Sequence, residues 1–374
     1  MKKGRFVLFI SFFVLLFLAL NYFSLSNIFE SFSWNLGPLF YTILFLLSFS
    51  YPITVVFERL WPMMTTKLFY RIASIWIGIA FFSLITFVIY RAIKLFFKFN
   101  DQIGSAVVLS VIVIMSVVSI INGKRLNIKP IDVPIRGLKK EMSLVHLSDL
   151  HIGAIHQKEF LERVVKETNS LNPDAVVITG DIVDGSTKIS TDLFSPINKI
   201  KAPVYFCVGN HEIYEGLDRV LPILNKTKMK ILRGQQSKLG ELNIIGMDYN
   251  DSRRKTLIKL NEMGLSKKYK NILLYHAPIF RLKKLEKHGI DLHLAGHTHN
   301  GQIFPMNLFV GLFYPYPSGY YKSKNSAVIT SPGTGTWGPP MRLGSTNQIN
   351  LINLKKHKEE EVVNKNPFKL LKKL

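Results

Sequence analysis

Across the first 130 positions polar residues are too sparse to interrupt four long apolar stretches, about Phe6 to Phe23, Leu39 to Phe57, Ile72 to Tyr90 and Ile103 to Ile121. Each has about the twenty residues that a helix needs to cross a bilayer, so the pattern predicts an all-α transmembrane region over residues 1–123. From Met142 the rhythm changes. Short apolar runs at Leu144 to Leu147, Ala175 to Thr179, Val204 to Val208, Leu242 to Gly246, Ile272 to Tyr275 and Leu292 to Ala295 end in polar clusters and read as buried strands. Between them, Gln157 to Ser170 puts Phe160, Leu161, Val164 and Val165 on one helical face, and Phe280 to His288 is a shorter helix candidate. Strand, loop, helix, strand in this order predicts an α/β domain with much parallel sheet over residues 142–354. A basic, Pro-containing linker (124–141) precedes it and a basic tail (355–374) follows, which either lies on an anionic membrane or frays into solvent.

Charge sharpens this division. Of the 374 residues, the first 130 hold 12 Lys and Arg against 3 Asp and Glu, and the rest hold 36 against 22. The formal charge of +23 is spread along the chain and flanks apolar segments, with no nucleic-acid recognition motif. Membrane lipids are therefore the expected partner, nucleic acid is not expected, and no protein partner is predicted. Lys and Arg prefer the cytoplasmic side. With the N-terminus inside, the inner flanks hold Lys2, Lys3, Arg5, Arg59, Lys67, Arg71, Lys124, Arg125 and Lys129, and the outer loops hold Arg91, Lys94 and Lys98. This predicts a multi-pass cell-membrane protein with its polar domain in the cytoplasm. A cleaved signal peptide is the alternative for the first stretch, but no persuasive small-residue cleavage site follows it. None of the four stretches contains a carboxylate or His, which favours an anchor or lipid-access surface over a transporter. The one cysteine, Cys207, sits in an apolar strand, so any metal must use oxygen and nitrogen ligands.

Candidate chemistry lies at the carboxyl ends of the strands, where functional groups gather in such sheets. There stand Asp149-Leu150-His151, Gly180-Asp181, Gly209-Asn210-His211-Glu212, His276 and Gly296-His297-Thr298-His299. Each alone is weak, but a purely structural role does not ask for so many carboxylate, amide and imidazole groups at equivalent places. Phosphoesters suit such a set. Their oxygens repel a nucleophile, and two divalent ions about 3.5 to 4 Å apart neutralise that charge and clamp the attacking and leaving oxygens. One carboxylate must bridge the ions, and Asp181, after the turn-forming Gly180, is the candidate.

These clusters, in this order, resemble the motif series of the calcineurin-like metallophosphoesterase superfamily over about Met142 to Leu354. Gly296 to Gln302, Ser331 to Thr336 and Gly338 to Arg342 are similar to its bacterial membrane-associated branch, apart from Asn300 where Gly is usual and Ser345 to Gln348 where a Pro-Glu pair is usual. The resemblance implies a four-layer α-β-β-α sandwich, two sheets packed face to face with helices outside. It implies one metal on Asp149, His151 and His299 and a second on Asn210, His276 and His297, with Asp181 shared. It also implies that His211 protonates the leaving oxygen while Glu212 orients it. Arg342 is a candidate phosphate fork or a surface salt bridge. Asp184 is a hydrogen-bonding neighbour of the ligands or a loop turn, and His146 and His293 are packing residues. The metals are Mn, Fe, Zn, Ni or Co, which mixed imidazole and carboxylate ligation does not separate. The expected function is a membrane-anchored phosphohydrolase that cleaves a phosphomonoester or phosphodiester through a metal-bridging hydroxide, its substrate a phospholipid or nucleotide-linked lipid. The alternative is a membrane sensor or scaffold that binds a phosphorylated ligand without turnover.

Overall fold

The computed structural model describes residues 3–98, 100–249 and 252–357. The apolar stretches form helices α1 (Lys3–Ser31), α2 (Pro38–Leu60), α3 (Met64–Lys94) and α4 (Asp101–Lys124). All four are long and apolar enough to cross a membrane. At 1.5 Å per residue α3 measures about 46 Å, more than the ~30 Å hydrocarbon core, so part of it is free to meet other protein. Two polar contacts tie helices of the bundle together: Trp76 Nε1 donates to Asn21 Oδ1 (2.6 Å) and Ser24 Oγ to the Ala80 carbonyl (3.0 Å). At the end far from the polar domain, Arg91 pairs with Glu30 (3.0 Å) and Lys94 with Asp101.

All six expected strands form, together with six more among the described residues. One sheet runs in the order β1 (Asn127–Ile135), β12 (Gln348–Lys356), β2 (Met142–Leu147), β3 (Ala175–Thr179), β4 (Val204–Cys207) and β5 (Lys230–Ile231). The other runs β10 (Gly319–Lys322), β11 (Ala327–Thr330), β9 (Leu292–Ala295), β8 (Lys270–Leu274), β7 (Leu242–Gly246) and β6 (Gln235–Leu239). The central strands of both are parallel, β2 to β5 in the first and β7, β8, β9 and β11 in the second.

Strand alternation divides the core into layers. Leu144, Val177, Cys207 and Tyr205 of the first sheet meet Leu242, Ile272, Leu274, Leu294 and Ile329 of the second. Val145, Leu147, Val176 and Ile178 point the other way, onto Leu161, Val164 and Val165 of α5 (Lys158–Ser170). The outer face of the second sheet is covered by Leu260 of the helix Arg253–Glu262 and Leu285 of the helix Leu282–Lys287. The result is the α-β-β-α sandwich.

One expected boundary changes. Half of the stretch expected as a linker is β1, nine residues in parallel register with β12. Pro130 and Pro134 give it a linker's composition, but β1 is an edge strand, where a missing N–H is tolerated. The tail expected at 355–374 begins inside β12, and its remainder, 358–374, lies outside the described residues.

The sandwich also grips the helices. At the end of α4, Asn347 Nδ2 donates to the Gly123 carbonyl (2.7 Å) and Arg163 Nη2 to that of Lys124 (2.8 Å), filling acceptors that a helix terminus leaves open. Gly123 lies so close to the Pro340 carbonyl that a Cβ would overlap it. Leu294→Ala, which opens a void between the sheets, is expected to cost about 2–5 kcal/mol. Thermal unfolding of purified protein checks this, and an unchanged midpoint would contradict the face-to-face packing.

Candidate metal centre

The five clusters converge. The loops after β2, β3 and β4 bring Asp149, His151, Asp181 and Asn210 from one sheet, and those after β8 and β9 bring His276, His297 and His299 from the other. The backbone bends hard to do so. Asp149, His151, Asp181, His297 and His299 all have positive φ, between 47° and 72°. Left-handed backbone at a side-chain-bearing residue costs roughly 1–3 kcal/mol and is typical of functional sites. Asn300 shares this conformation (φ 49°), which asparagine tolerates better than most residues where glycine is otherwise usual. Gly209 has to be glycine for a different reason, because a Cβ there would strike Asp181 Oδ1.

Two groups of potential ligand atoms result, Asp149–His151–His299 and Asp181–His276–His297, each with its atoms within 4.8 Å of one another. Asp181 Oδ2 lies between them, 3.1 Å from His276 Nε2 and 3.9 Å from His151 Nε2. His151 also stands 3.1 Å from His299 by its Nε2 and 3.6 Å from Asp184 by its Nδ1, and with Asp184 and His211 it makes a third such group.

Tautomers show what the centre is built to hold. His276 Nδ1 donates to the Thr179 carbonyl (2.6 Å), so in a neutral ring Nε2 carries a lone pair, aimed at the Asp181 carboxylate. Tyr314 Oη lies 2.8 Å from His297 Nε2; when it accepts that N–H, the lone pair of His297 Nδ1 points inward, 3.2 Å from His276 Nε2. Lone pairs facing lone pairs repel unless a cation sits among them. Without a metal a proton takes that part: burial opposes a charged imidazole, yet Asp181 and Asp149 together push His276 up to about 10. Burial pushes Asp149 up to about 6, whereas His276 holds Asp181 below the ordinary carboxylate range despite burial. Asn210 Oδ1 and His151 Nδ1 are buried with no hydrogen-bond partner. Oxygen and imidazole acceptors around a central gap, some orphaned, fit divalent cations.

The residues 142–301 match the calcineurin-like phosphoesterase family. A metallophosphoesterase of Campylobacter jejuni is 35% identical over 265 residues, 67% of this chain and 69% of the relative. This chain belongs to the calcineurin-like phosphoesterase family. This chain is also 35% identical over 237 residues to a metallophosphoesterase of Helicobacter pylori, where the match covers 62% of this chain and 64% of the relative, just under two thirds of its length. It is 31% identical over 247 residues to a transmembrane protein with metallophosphoesterase domain from Danio rerio, covering 60% of this chain and 56% of that one.

Two expected roles change. Glu212 does not orient His211. It is fully buried and accepts the backbone N–H groups of Gly209 (2.7 Å), Asp181 (2.9 Å), Ile182 (2.8 Å) and Val183 (3.1 Å), lacing the loop of Asp181 to that of Asn210. Burial and the charge of Asp181 push its carboxyl up to about 7 against those four donors. His211 is held instead by the Asp184 carbonyl, 2.8 Å from its Nδ1. Arg342 is neither a phosphate fork nor a surface ion pair. It has no solvent exposure, and its guanidinium donates to Asn347 Oδ1, Ser345 Oγ and the carbonyls of His299 and Gly335 at 2.6–2.8 Å. Two of these partners, Ser345 and Asn347, come from the segment that departs from the usual Pro-Glu pair. His156 is also turned inward, against Thr336 (2.8 Å).

Other contributors carry no motif. Tyr314 lies in the aromatic run Phe313-Tyr314-Pro315-Tyr316, which reads as packing. Glu58, at the end of α2, is fully buried and accepts Thr187 Oγ1 (2.7 Å) and Thr66 Oγ1 (2.6 Å). Beside it Arg59 pairs with Glu215 (2.8 Å), so α2 braces the loop that holds His211. Glu212→Gln replaces an acceptor of four N–H groups with a side chain that is half donor, and is expected to weaken Mn²⁺ binding about ten- to a hundredfold. Calorimetric titration measures it; unaltered affinity would show that the clamp does not shape the centre.

Proposed function

We propose that this chain is a membrane-anchored phosphohydrolase that acts on a phosphomonoester or phosphodiester with a pair of divalent cations. The observation that carries the proposal is the position of Asp181 Oδ2 between the two ligand groups. Asp149, His151 and His299 would hold one cation and Asn210, His276 and His297 the other, with Asp181 available to both. When bound, the cations neutralise the phosphoester's charge and supply an activated water as nucleophile. The protein does the rest. Tyr314 and the Thr179 carbonyl fix which nitrogens of His297 and His276 face inward. His211, whose ring meets that of His151 edge to face at 4.6 Å, donates from Nδ1 to the Asp184 carbonyl, and in the doubly protonated ring its Nε2–H would give a proton to the leaving oxygen. Tyr214 and Trp337, 5.6 and 6.0 Å from His211 between ring centres and largely exposed, flank it as walls of the mouth. No residue of the donor set is replaced, so nothing favours a scaffold that binds without turnover.

Anchoring on four apolar helices favours a lipid-borne substrate, a phospholipid or nucleotide-linked lipid, over a soluble one. The cell membrane is the proposed site, with the N-terminus and the sandwich in the cytoplasm. The pairing of Arg91 with Glu30 and of Lys94 with Asp101 supports this side, because it offsets two of the three cations that the orientation leaves outside. In sealed inside-out vesicles added protease should reach the sandwich; protection would reverse the orientation.

With Mn²⁺ and a chromogenic aryl phosphodiester, Asp181→Asn should lose at least about 10³-fold in kcat/KM. His211→Asn should lose about 10²- to 10⁴-fold in kcat with KM little altered. Undiminished turnover in Asp181→Asn would overturn the assignment.

A further inference from the structure

The ligand loop Gly296–Gln302 runs directly into a segment with no analogue elsewhere in the sandwich. From Asn300 to Tyr321 the chain carries no charged residue, although the protein as a whole is rich in lysine and arginine. Within it Leu308, Leu312 and Phe313 are 64%, 79% and 74% exposed, and Met306 and Phe309 are exposed as well. Large apolar side chains this dense on a surface mark a contact with protein or membrane.

The neighbours of this segment tell which. Ile303 packs with Met341 and Leu343 against Phe82 of α3 and Met115 of α4. Phe304 closes one end of a groove of about 650 Å³ between α3 and α4, walled by Ile85, Ile89, Val107, Val111 and Met115. Its walls are almost wholly apolar, and from Ile103 to Met115 it follows α4 for about 18 Å, the length of a long alkyl chain. The exposed run Met306–Phe313 is tied to ligand residues on both sides. His299 lies five residues before Phe304, and Tyr314, directly after Phe313, returns to His297 at 2.8 Å. A charge-free, exposed apolar stretch continuous with two membrane-length helices is matched by a lipid phase, not by a water-borne protein partner.

We infer that the α3–α4 groove seats the acyl chain of a membrane lipid phosphoester whose phosphate lies at the metals, with Met306–Phe313 as a lip set into the bilayer at the mouth. The inference rests on the proposed hydrolase reading and narrows its substrate to a lipid drawn sideways from the membrane. The groove seats the chain, the lip removes the water gap between bilayer and site, and Tyr314 joins the lip to a metal-holding imidazole.

The test uses the full chain in nanodiscs with Mn²⁺ and two probes that share a leaving group, methyl and hexadecyl p-nitrophenyl phosphate. Wild type should favour the hexadecyl ester by at least about tenfold in kcat/KM, through burial of its methylenes. Val107→Trp, which fills the groove far from the metals, should abolish that preference and leave methyl-ester turnover unchanged, and Ile89→Trp should do the same from the facing helix. Turnover of the methyl ester with no chain-length preference, or with a preference that survives both substitutions, overturns the inference and leaves the hydrolase reading standing. Turnover of neither ester overturns the hydrolase reading, and this inference with it.

Discussion

One contact organises the polar domain: the Nε2 lone pair of His276 held against the carboxylate of Asp181 by the Thr179 carbonyl behind the ring. In isolation it is unfavourable, and a cation between the two makes it attractive. The costs around it follow from that requirement. Left-handed backbone at Asp149, His151, Asp181, His297 and His299 aims the remaining donors at the same space, and Glu212 ties two of the loops together from beneath by four backbone hydrogen bonds. Arg342, fully buried, fastens the His299 loop to the segment that packs on α4. The sandwich supplies stiffness, since its parallel strands fix where each loop leaves the sheet.

Much of this is legible in the chain. The central strands announce themselves as short apolar runs, and the ligand clusters stand at their ends because the same backbone that pairs in the sheet must turn there. What composition hides is edge and outer structure. Two prolines disguise β1, and β5, with two residues, is too short to leave a period. Side-chain roles are hidden more deeply. Glu212 beside His211 suggests that one orients the other, but adjacency in a helix points successive side chains apart, and the carboxylate turns inward to the backbone. Arg342 carries a guanidinium in a glycine- and proline-rich stretch that reads as exposed, and only the tertiary arrangement shows that its donors are taken by carbonyls. Tyr314 and Glu58 are missed because each reaches the site through a tertiary contact, Tyr314 with His297 and Glu58 with Thr187, that no local spacing announces.

The apolar helices are more than a tether. α2 reaches the loop behind His211 through Glu58 and Thr187 and the neighbouring helix through Arg59 and Glu215, while Lys67 of α3 donates to Gln157 (3.1 Å) and α4 ends on Asn347 and Arg163. The loops that carry the chemistry are therefore packed against the ends of membrane-length helices, with a salt bridge and a buried carboxylate in the junction. Such a junction fixes the height and tilt of the site relative to the helices, which a flexible linker would leave free.

The central claim is that two cations share Asp181, and electron paramagnetic resonance of the full-length protein loaded with Mn²⁺ tests it most directly. The account predicts an exchange-coupled pair about 3.5 to 4 Å apart at saturation, with Asp181→Asn uncoupling it. A spectrum of isolated, magnetically independent Mn²⁺ at full loading would contradict it.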